Sequence, residues 1–382
     1  MITEIHVENF KSLADFTLTG MGNFVCLIGL NGAGKTTLLQ ALDFIGQLAN
    51  GVPEFRGWDK SEIPTIGQSL RTCTFSLSFK RSESNETLQW KGRYNIQTGR
   101  FTEEVVSMDG IVVFQLKEGR LTLSGPSDDG IPSSSSALNY QGSVLNVLNT
   151  KNPDVDYVRD QMRQLKSIDL LSPDSLRKSS QGDTELGNGG IGLPGFLNSL
   201  SEENARALLQ ELKGFYPNLA EYVIGRRRFG WKRLLIRETV FGKSQLPAHQ
   251  ENDGLLRVLA ILSQRYAHRG FLLFDEVENG INQELLGLLV KKLLSFGDKQ
   301  VFVTTHSALL VNYLPDDRAK ESLYLLYRDA NGYAGAIRFF NISGMVNRLD
   351  VLGPGEVMGA VNLVDVSRSV AEAAAMRKRT EV

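Results

Sequence analysis

Apolar and polar positions alternate along residues 2–9, with Ile2, Ile5 and Val7 set against Thr3, Glu4, His6 and Glu8, and this period of two predicts a strand. A second is predicted from Leu13 to Leu18. The unbroken apolar run within Asn23–Ile28 reads as a buried strand. A glycine-rich turn follows, and then Thr37–Gly46, apolar at helical spacing, with a stop near Asn50-Gly51-Val52-Pro53. From Thr72 to Leu123 the period returns to two, in Cys73–Phe79, Thr87–Tyr94, Arg100–Ser107, Ile111–Leu116 and Arg120–Leu123. Asp109-Gly110 and Glu118-Gly119 separate the last of these, which predicts hairpins.

Residues 124–143 are rich in Ser, Gly and Pro and read as a loop or linker. A mainly helical stretch is predicted over 153–222, broken by a Gly-rich loop at Gly182–Gly195, with Ser201–Lys213 its clearest helix and Ser201 the cap. Beyond it the pattern predicts a strand at Trp231–Val240, a helix at Leu255–Tyr266 and a buried strand at Phe271–Phe274. A helix at Gln283–Leu294, a strand at Val301–Thr304, a hairpin of Leu323–Tyr327 with Ala336–Phe340, and a C-terminal helix at Val364–Lys378 complete it. No internal repeat is visible. Strands and helices interleave, so the fold class is α/β.

Composition narrows the picture only a little. A chain of 382 residues, 42% of them hydrophobic, is long enough for one large domain or two and reads as an ordinary soluble globular protein. Lys plus Arg is 42 and Asp plus Glu is 43, so any contact with nucleic acid must come from a local patch. Cys26 and Cys73 cannot form a disulfide framework, which fits a reducing cytoplasm. The start has no signal-like core, and no run approaches ~18 apolar residues, so a membrane partner is not expected.

Chemistry enters at Gly29-Leu30-Asn31-Gly32-Ala33-Gly34-Lys35-Thr36, which fits the phosphate-cradling P-loop in its required strand–loop–helix context. The glycines let backbone N–H groups turn in around a phosphate, and the helix N-terminus adds its partial positive charge. Lys35 would face the β- and γ-phosphates of a nucleoside triphosphate, with Asn31, Gly32, Ala33, Gly34, Thr36 and Thr37 around them, and the Thr36 hydroxyl is a ligand for Mg²⁺. Downstream, Phe271–Phe274 runs into Asp275-Glu276, the Walker B arrangement. Asp275 would hold the metal, and Glu276 is placed to take the proton of an attacking water. Lys35 and Asp275 lie too far apart in sequence for a minimal P-loop GTPase, so the intervening chain must fold as its own lobe.

Two further features lie near Asp275. Glu251-Asn252-Asp253-Gly254 opens an apolar helix and makes a second helix-N-terminus anion site. Val301–Thr304 delivers Thr305-His306-Ser307, which resembles the switch histidine of ABC-class ATPases; the resemblance implies that His306 would contact a γ-phosphate and position water. Together these pieces resemble the RecF/SMC/OLD-like branch of the ABC-type, AAA-family ATPases. Ile5-His-Val-Glu-Asn-Phe10-Lys11-Ser12-Leu13 is similar to that branch's opening strand and turn, and Asp275-Glu-Val-Glu-Asn-Gly280 to its Asp-Glu-Pro-Glu-x-Gly pattern. Val277 replaces the usual Pro, Asn282 the common His, and Asn252 the Ser that normally begins the signature motif. No glutamine stands out as a Q-loop, although Gln68 and Gln97 are available.

The resemblance implies an ATPase core of residues 1–50 and 225–345, a β-rich lobe over 51–150, a helical insert over 151–224 and a C-terminal tail over 346–382. It implies ATP and Mg²⁺, with Lys11 near the nucleotide and Asn252 and Gly254 reaching the ATP bound by a second copy. The implied activity is an ATP-hydrolysing switch that dimerises around ATP and controls DNA or a separate effector, a nuclease or toxin, in anti-phage defence or DNA maintenance. OLD-like nucleases carry a Toprim domain after the ATPase. Only about 70 residues follow His306, a small fraction of a typical domain, and Asp316-Asp317 and Asp329 make no convincing metal cluster. Arg226, Arg227, Arg228, Lys232 and Arg233, with Phe229 and Trp231 among them, are the candidate DNA patch. Two alternatives stay open: an ATP-dependent scaffold or sensor with slow turnover, and the ATPase subunit of a membrane transporter, whose Leu-Ser-Gly-Gly-Gln signature is absent here.

Overall fold

Alternation over the first 123 residues produces one antiparallel sheet of seven strands. The computed structural model describes residues 1–51, 59–68, 71–81, 86–123, 142–146, 152–165, 171–182, 185–241, 246–248 and 251–380. The chain divides into two compact units, residues 1–166, 317–351 and 360–382 in the first and residues 167–316 and 352–359 in the second. The linker expected over 124–143 lies outside the described residues except for its last two.

In the first unit the sheet runs in the order Leu13–Thr19, Ile2–Phe10, Thr72–Lys80, Thr87–Asn95, Arg100–Met108, Ile111–Lys117, Arg120–Leu123. The two opening strands, expected to belong with the ATPase core, therefore form one end of the β-rich sheet. Val7 stands opposite Phe16 on one side and Phe75 on the other, so the alternating apolar residues of three strands meet on one face. Phe75, Trp90, Tyr94 and Phe101 pack there at mostly edge-on angles, with Phe75 and Trp90 centroids 4.7 Å apart. Gly92 is required at this point, because a Cβ would sit 2.4 Å from the Phe75 ring.

The helix Lys35–Asn50 buries Leu38, Leu39, Leu42, Phe44, Ile45 and Leu48. Its Phe44 ring lies 5.5 Å from Phe10 and 5.8 Å from Tyr94, which fixes the helix to the sheet. Before this helix the wholly buried strand Phe24–Ile28 pairs in parallel with Leu323–Arg328, joining Cys26 to Leu323 and Ile28 to Leu325. Leu323–Arg328 pairs antiparallel with Ala334–Arg338, the predicted hairpin. Cys26 and Cys73 are both free and buried. The C-terminal helix spans Leu363–Thr380. No helix among the described residues is long and apolar enough to cross a membrane.

In the second unit Phe271–Phe274 and Gln300–Thr304 pair in parallel, joined through the helix Gln283–Leu294. The helix Asp253–Ser263 is buried along nearly its whole length. Ser201 caps Glu202–Phe215 as predicted, its hydroxyl accepting from the Asn204 N–H. The helical stretch ends sooner than expected, because Leu219–Arg226 is a strand paired antiparallel with Trp231–Glu238. Leu219, Tyr222, Val223 and Ile224 fit helical spacing as well as a half-exposed strand, and the partner strand decides between them. The expected helical insert is also divided, since Pro153–Gln164 belongs to the first unit.

One buried carboxylate ties the β-rich sheet to the segment after the linker. Glu104 is fully buried, and it accepts hydrogen bonds from Trp90 Nε1 at 2.9 Å, from the Val144 N–H at 3.0 Å and from the Ser143 hydroxyl. Burial outweighs these three donors and pushes the Glu104 carboxyl up to about 7. A pKa raised in the folded state favours the protonated form, so the contribution is complete below the ordinary carboxylate range and is lost as pH rises to about 7. Glu104→Gln should therefore gain stability relative to wild type by up to roughly 3 kcal/mol between pH ~4.5 and ~7, measured by denaturant unfolding across that window. A constant difference between the two proteins would contradict this.

Candidate functional site

The glycine loop of the first unit is shaped by backbone that other residues would resist. Gly29 has φ +142° and Gly34 has φ +106°. A Cβ at Gly29 would meet the Leu326 carbonyl at 2.3 Å, and one at Gly34 would meet Ala334 Cβ at 2.9 Å and Ser12 Oγ at 3.3 Å. The helix starts at Lys35 with no side-chain cap and no acidic residue in its first turn. An N-cap glycine offers no side chain to the leading amides, and a helix start of this kind suits an anion. Lys35 is 6% exposed, and its ammonium donates to the carbonyls of Gly29 at 2.9 Å and Leu30 at 3.1 Å. It lies folded beneath the loop, with Asn31 and Gly32 exposed above it and Thr36 and Thr37 half-buried behind.

Lys11 is placed less directly. Its ammonium donates to Gln40 Oε1 at 2.9 Å, one and a half turns into the helix, while its neighbour Ser12 is the residue beside Gly34. Burial holds the Lys11 ammonium below its usual range. Gln97 Oε1 accepts from Arg71. Arg328, which the sequence does not single out, donates from Nε to the Gly32 carbonyl at 2.6 Å and fixes the loop's outer edge. Leu30, Asn31 and Ala33 share a cavity of about 420 Å³ with Tyr327, Arg328 and the C-terminal helix.

The second unit gathers the other predicted residues. Asp275 follows the buried strand and is itself 9% exposed. The Thr304 hydroxyl, on the neighbouring strand, donates to Asp275 Oδ1 and accepts from the Glu276 N–H at 2.8 Å. One hydroxyl thus pins the first carboxylate and the backbone of the second. The Glu276 backbone is left-handed, with φ +46°, and its side chain is exposed. Glu278 Oε1 accepts from the His306 N–H at 2.8 Å, which anchors the backbone that carries the exposed imidazole.

Arg257 organises the turn from below. It is 5% exposed, and it donates to the carbonyls of Glu276 at 3.1 Å, Asp275 at 3.5 Å and Leu171 at 2.9 Å. Burial lowers its pKa, and the acidic side chains of residues 275, 276, 278 and 253 oppose that shift. Neither Arg257 nor the role of Thr304 is evident beforehand. The one available signal for Arg257 is a lone cation in the apolar helix Leu255–Leu262.

Asn252 is the N-cap of that helix, and its Oδ1 accepts from the Leu255 N–H at 2.7 Å. Its side-chain NH₂ remains a donor. Asp253, in the first turn, pairs with Arg177 at 2.6 Å, so its charge is partly answered. Gly254 permits close packing, since a Cβ would lie 2.7 Å from the Gly280 carbonyl. Asp329 closes its own turn, accepting from Asn331 and Tyr333 amides. Among the described residues the only His and acid cluster at metal-ligand spacing is His6, Glu8 and Asp15, and none of the predicted metal residues belongs to it.

Comparison with known proteins finds ATPase-type relatives for both parts of the chain. Residues 1–87 match the family described as "AAA ATPase domain", and residues 151–312 match "AAA domain, putative AbiEii toxin, Type IV TA system". The "ATP/GTP phosphatase" of Helicobacter pylori (strain ATCC 700392 / 26695) is 22% identical, over 82% of this chain and 87% of that protein. An SmcHead crystallised with the C-winged helix domain of ScpA has a TM-score of 0.55 at 12% identity. That match covers 88% of this chain and 96% of that one, and it speaks to the fold.

Thr304→Val keeps the shape of the side chain and removes both of its hydrogen bonds. The Glu276 N–H and the buried Asp275 oxygen lose their partner, so urea unfolding should report a loss of about 1–3 kcal/mol. Thr304→Ser should recover most of it.

Proposed function

We propose that this chain, whose residues 1–87 and 151–312 match AAA-type ATPase domains and whose fold is similar to an Smc head, is an ATP-driven switch closing as a dimer around nucleotide. Lys35 and the amides of residues 31–37 grip the β- and γ-phosphates of ATP. Lys11 lies at the margin of that pocket. The Asn252–Gly254 turn of a second copy covers the γ-phosphate, with the Asn252 NH₂ donating to it. Thr36 and Asp275 hold Mg²⁺, which supplies charge neutralisation of the phosphates when bound.

The observation that carries this reading is the contrast between two adjacent carboxylates. Asp275 is buried and pinned by Thr304, as a metal ligand should be, whereas Glu276 has a fixed backbone and an exposed side chain. Glu276 takes the proton of the water that attacks the γ-phosphorus. His306, held through its N–H by Glu278, orients that water and contacts the γ-phosphate. Hydrolysis removes the group that bridges the copies, so closure lasts only as long as ATP does. The motion acts on DNA or on a separate effector, a nuclease or toxin, in bacterial defence or DNA maintenance. The toxin–antitoxin description of the family matched by residues 151–312 supports the defence setting, and the partner-bound Smc head supports a protein docking on the head.

A slower scaffold or sensor is the second reading, and a specific observation favours it. Asn252 spends its oxygen on capping, and Asp253 adds negative charge where a γ-phosphate would approach, partly answered by Arg177. Turnover separates the two. Under the switch reading, Glu276→Gln keeps ATP binding, lowers hydrolysis by about 10²-fold or more, and accumulates dimer with ATP in light scattering. Lys35→Ala loses binding and stays monomeric. Wild-type hydrolysis in Glu276→Gln would remove Glu276 from its role.

A further inference from the structure

The hairpin of Leu219–Arg226 and Trp231–Glu238 ends in a tip that the ATPase reading does not use. Arg226 stands opposite Lys232 in its register, and the Arg227 N–H donates to the Trp231 carbonyl at 2.7 Å to close the turn. Arg226, Arg227 and Arg228 are exposed, and they line a shallow concavity with Trp231 and Ser179. Lys232 and Arg233 follow on the return strand. Among the described residues no carboxylate pairs with any of these five cations. Lower on the same hairpin Arg237 pairs with Glu221 at 2.9 Å, so unanswered charge is a property of the tip alone.

Phe229 stands at the apex, 86% exposed. Its backbone is left-handed, with φ +60°, a conformation costly for an aromatic residue. Gln181 Nε2 donates to its carbonyl at 2.6 Å, which holds the strained turn from the neighbouring strand. Trp231, 42% exposed, lies two residues on. The tip is thus two exposed aromatic faces framed by five unpaired cations.

The geometry points to a single-stranded DNA contact in which Phe229 and Trp231 stack on bases while Arg226, Arg227, Arg228, Lys232 and Arg233 follow the phosphates. Charge complementarity and the exposed rings select this occupant. Cations alone would suit any polyanion, but a protruding ring needs an unstacked base to cover it, which a duplex does not offer. Residues 226–233 carry no side-chain acceptor for a 2′-hydroxyl proton, so the tip lacks one of the contacts by which RNA is favoured over DNA. Nor is there the broad apolar face by which an amphipathic surface enters a bilayer. The inference specifies the DNA output suggested above, but it does not require ATP hydrolysis.

The test uses the full chain without nucleotide and a labelled oligo(dT) of about 30 nucleotides, read by anisotropy and Trp fluorescence. Wild type should bind it at least about tenfold more tightly than a blunt duplex, with log K falling against log salt at a slope of up to about −3.5. Phe229→Ala should bind about tenfold more weakly with the slope and thermal midpoint unchanged. The double variant Arg227→Glu with Arg228→Glu should flatten the slope by at least about 1.4. Phe229→Ala should leave basal ATP turnover intact, and Lys35→Ala should still bind oligo(dT), so failure here and failure of the switch reading are separable. Wild-type affinity in Phe229→Ala, equal or better binding of duplex or of oligo(rU), or preference for phosphatidylserine vesicles would each overturn the inference.

Discussion

A buried cation must be answered by nearby oxygen, and one such cation organises the glycine loop of the first unit and another the acidic turn of the second. Lys35 and Arg257 are both almost wholly removed from water, and the hydrogen bonds described for each run to main-chain carbonyls. Carbonyl dipoles lower the cost of burying the charge without cancelling it. The loop and the acidic turn are therefore held in shape before any ligand arrives. At the loop that charge lies under an uncapped helix start, which favours a phosphate. At the acidic turn it lies under three carboxylates in four residues, and without Arg257 they would repel one another.

The same constraint explains why two adjacent acids behave differently. Asp275 shares a hydroxyl with the backbone of Glu276, and Thr304 can supply both bonds only because its strand runs parallel to Phe271–Phe274 in register. Phe274 faces Val303, so Thr304 stands level with Asp275. Sheet register, a consequence of apolar packing on both strands, thus decides which carboxylate is immobilised. Glu276 leaves the strand at once through its left-handed backbone, and its side chain turns out to solvent.

Much of this was legible in the sequence, and the limits have physical causes. Strand, glycine loop and helix could be read because each depends on local spacing, and the five hairpin strands because each alternates with a period of two and the last two turns carry Asp-Gly and Glu-Gly. Ser201 was legible because capping is local. Leu219–Arg226 was not, since its apolar residues fit two periods and only its cross-strand partner settles the matter. The family resemblance groups the opening strands with the ATPase core, and the sheet pairs them with Thr72–Lys80, a partner that lies far along the chain. In the site, Lys35, Asp275, Glu276 and His306 announce themselves by residue type. Arg257, Thr304 and Arg328 act through contacts many residues away, and no spacing rule exposes them.

Backbone strain sorts the remaining unusual positions. Among the described residues, six other than glycine have positive φ: Asn9, Lys11, Asp109, Glu118, Phe229 and Glu276. Asp109 and Glu118 precede glycines in tight hairpins, where turn geometry asks for this conformation. Asn9 is fastened by its own amide, which donates to the Thr72 carbonyl and accepts from the Thr65 N–H. Phe229 also precedes a glycine, so its turn is ordinary, and the anomaly is that an aromatic residue occupies it and stays exposed. Glu276 has no such turn to explain it. Its conformation persists because Thr304 holds its N–H and Arg257 holds its carbonyl, on the two sides of one strained residue. A surrounding structure that fixes a residue from both sides can keep it where it would not otherwise rest, and here what it keeps in place is an exposed carboxylate beside a buried one.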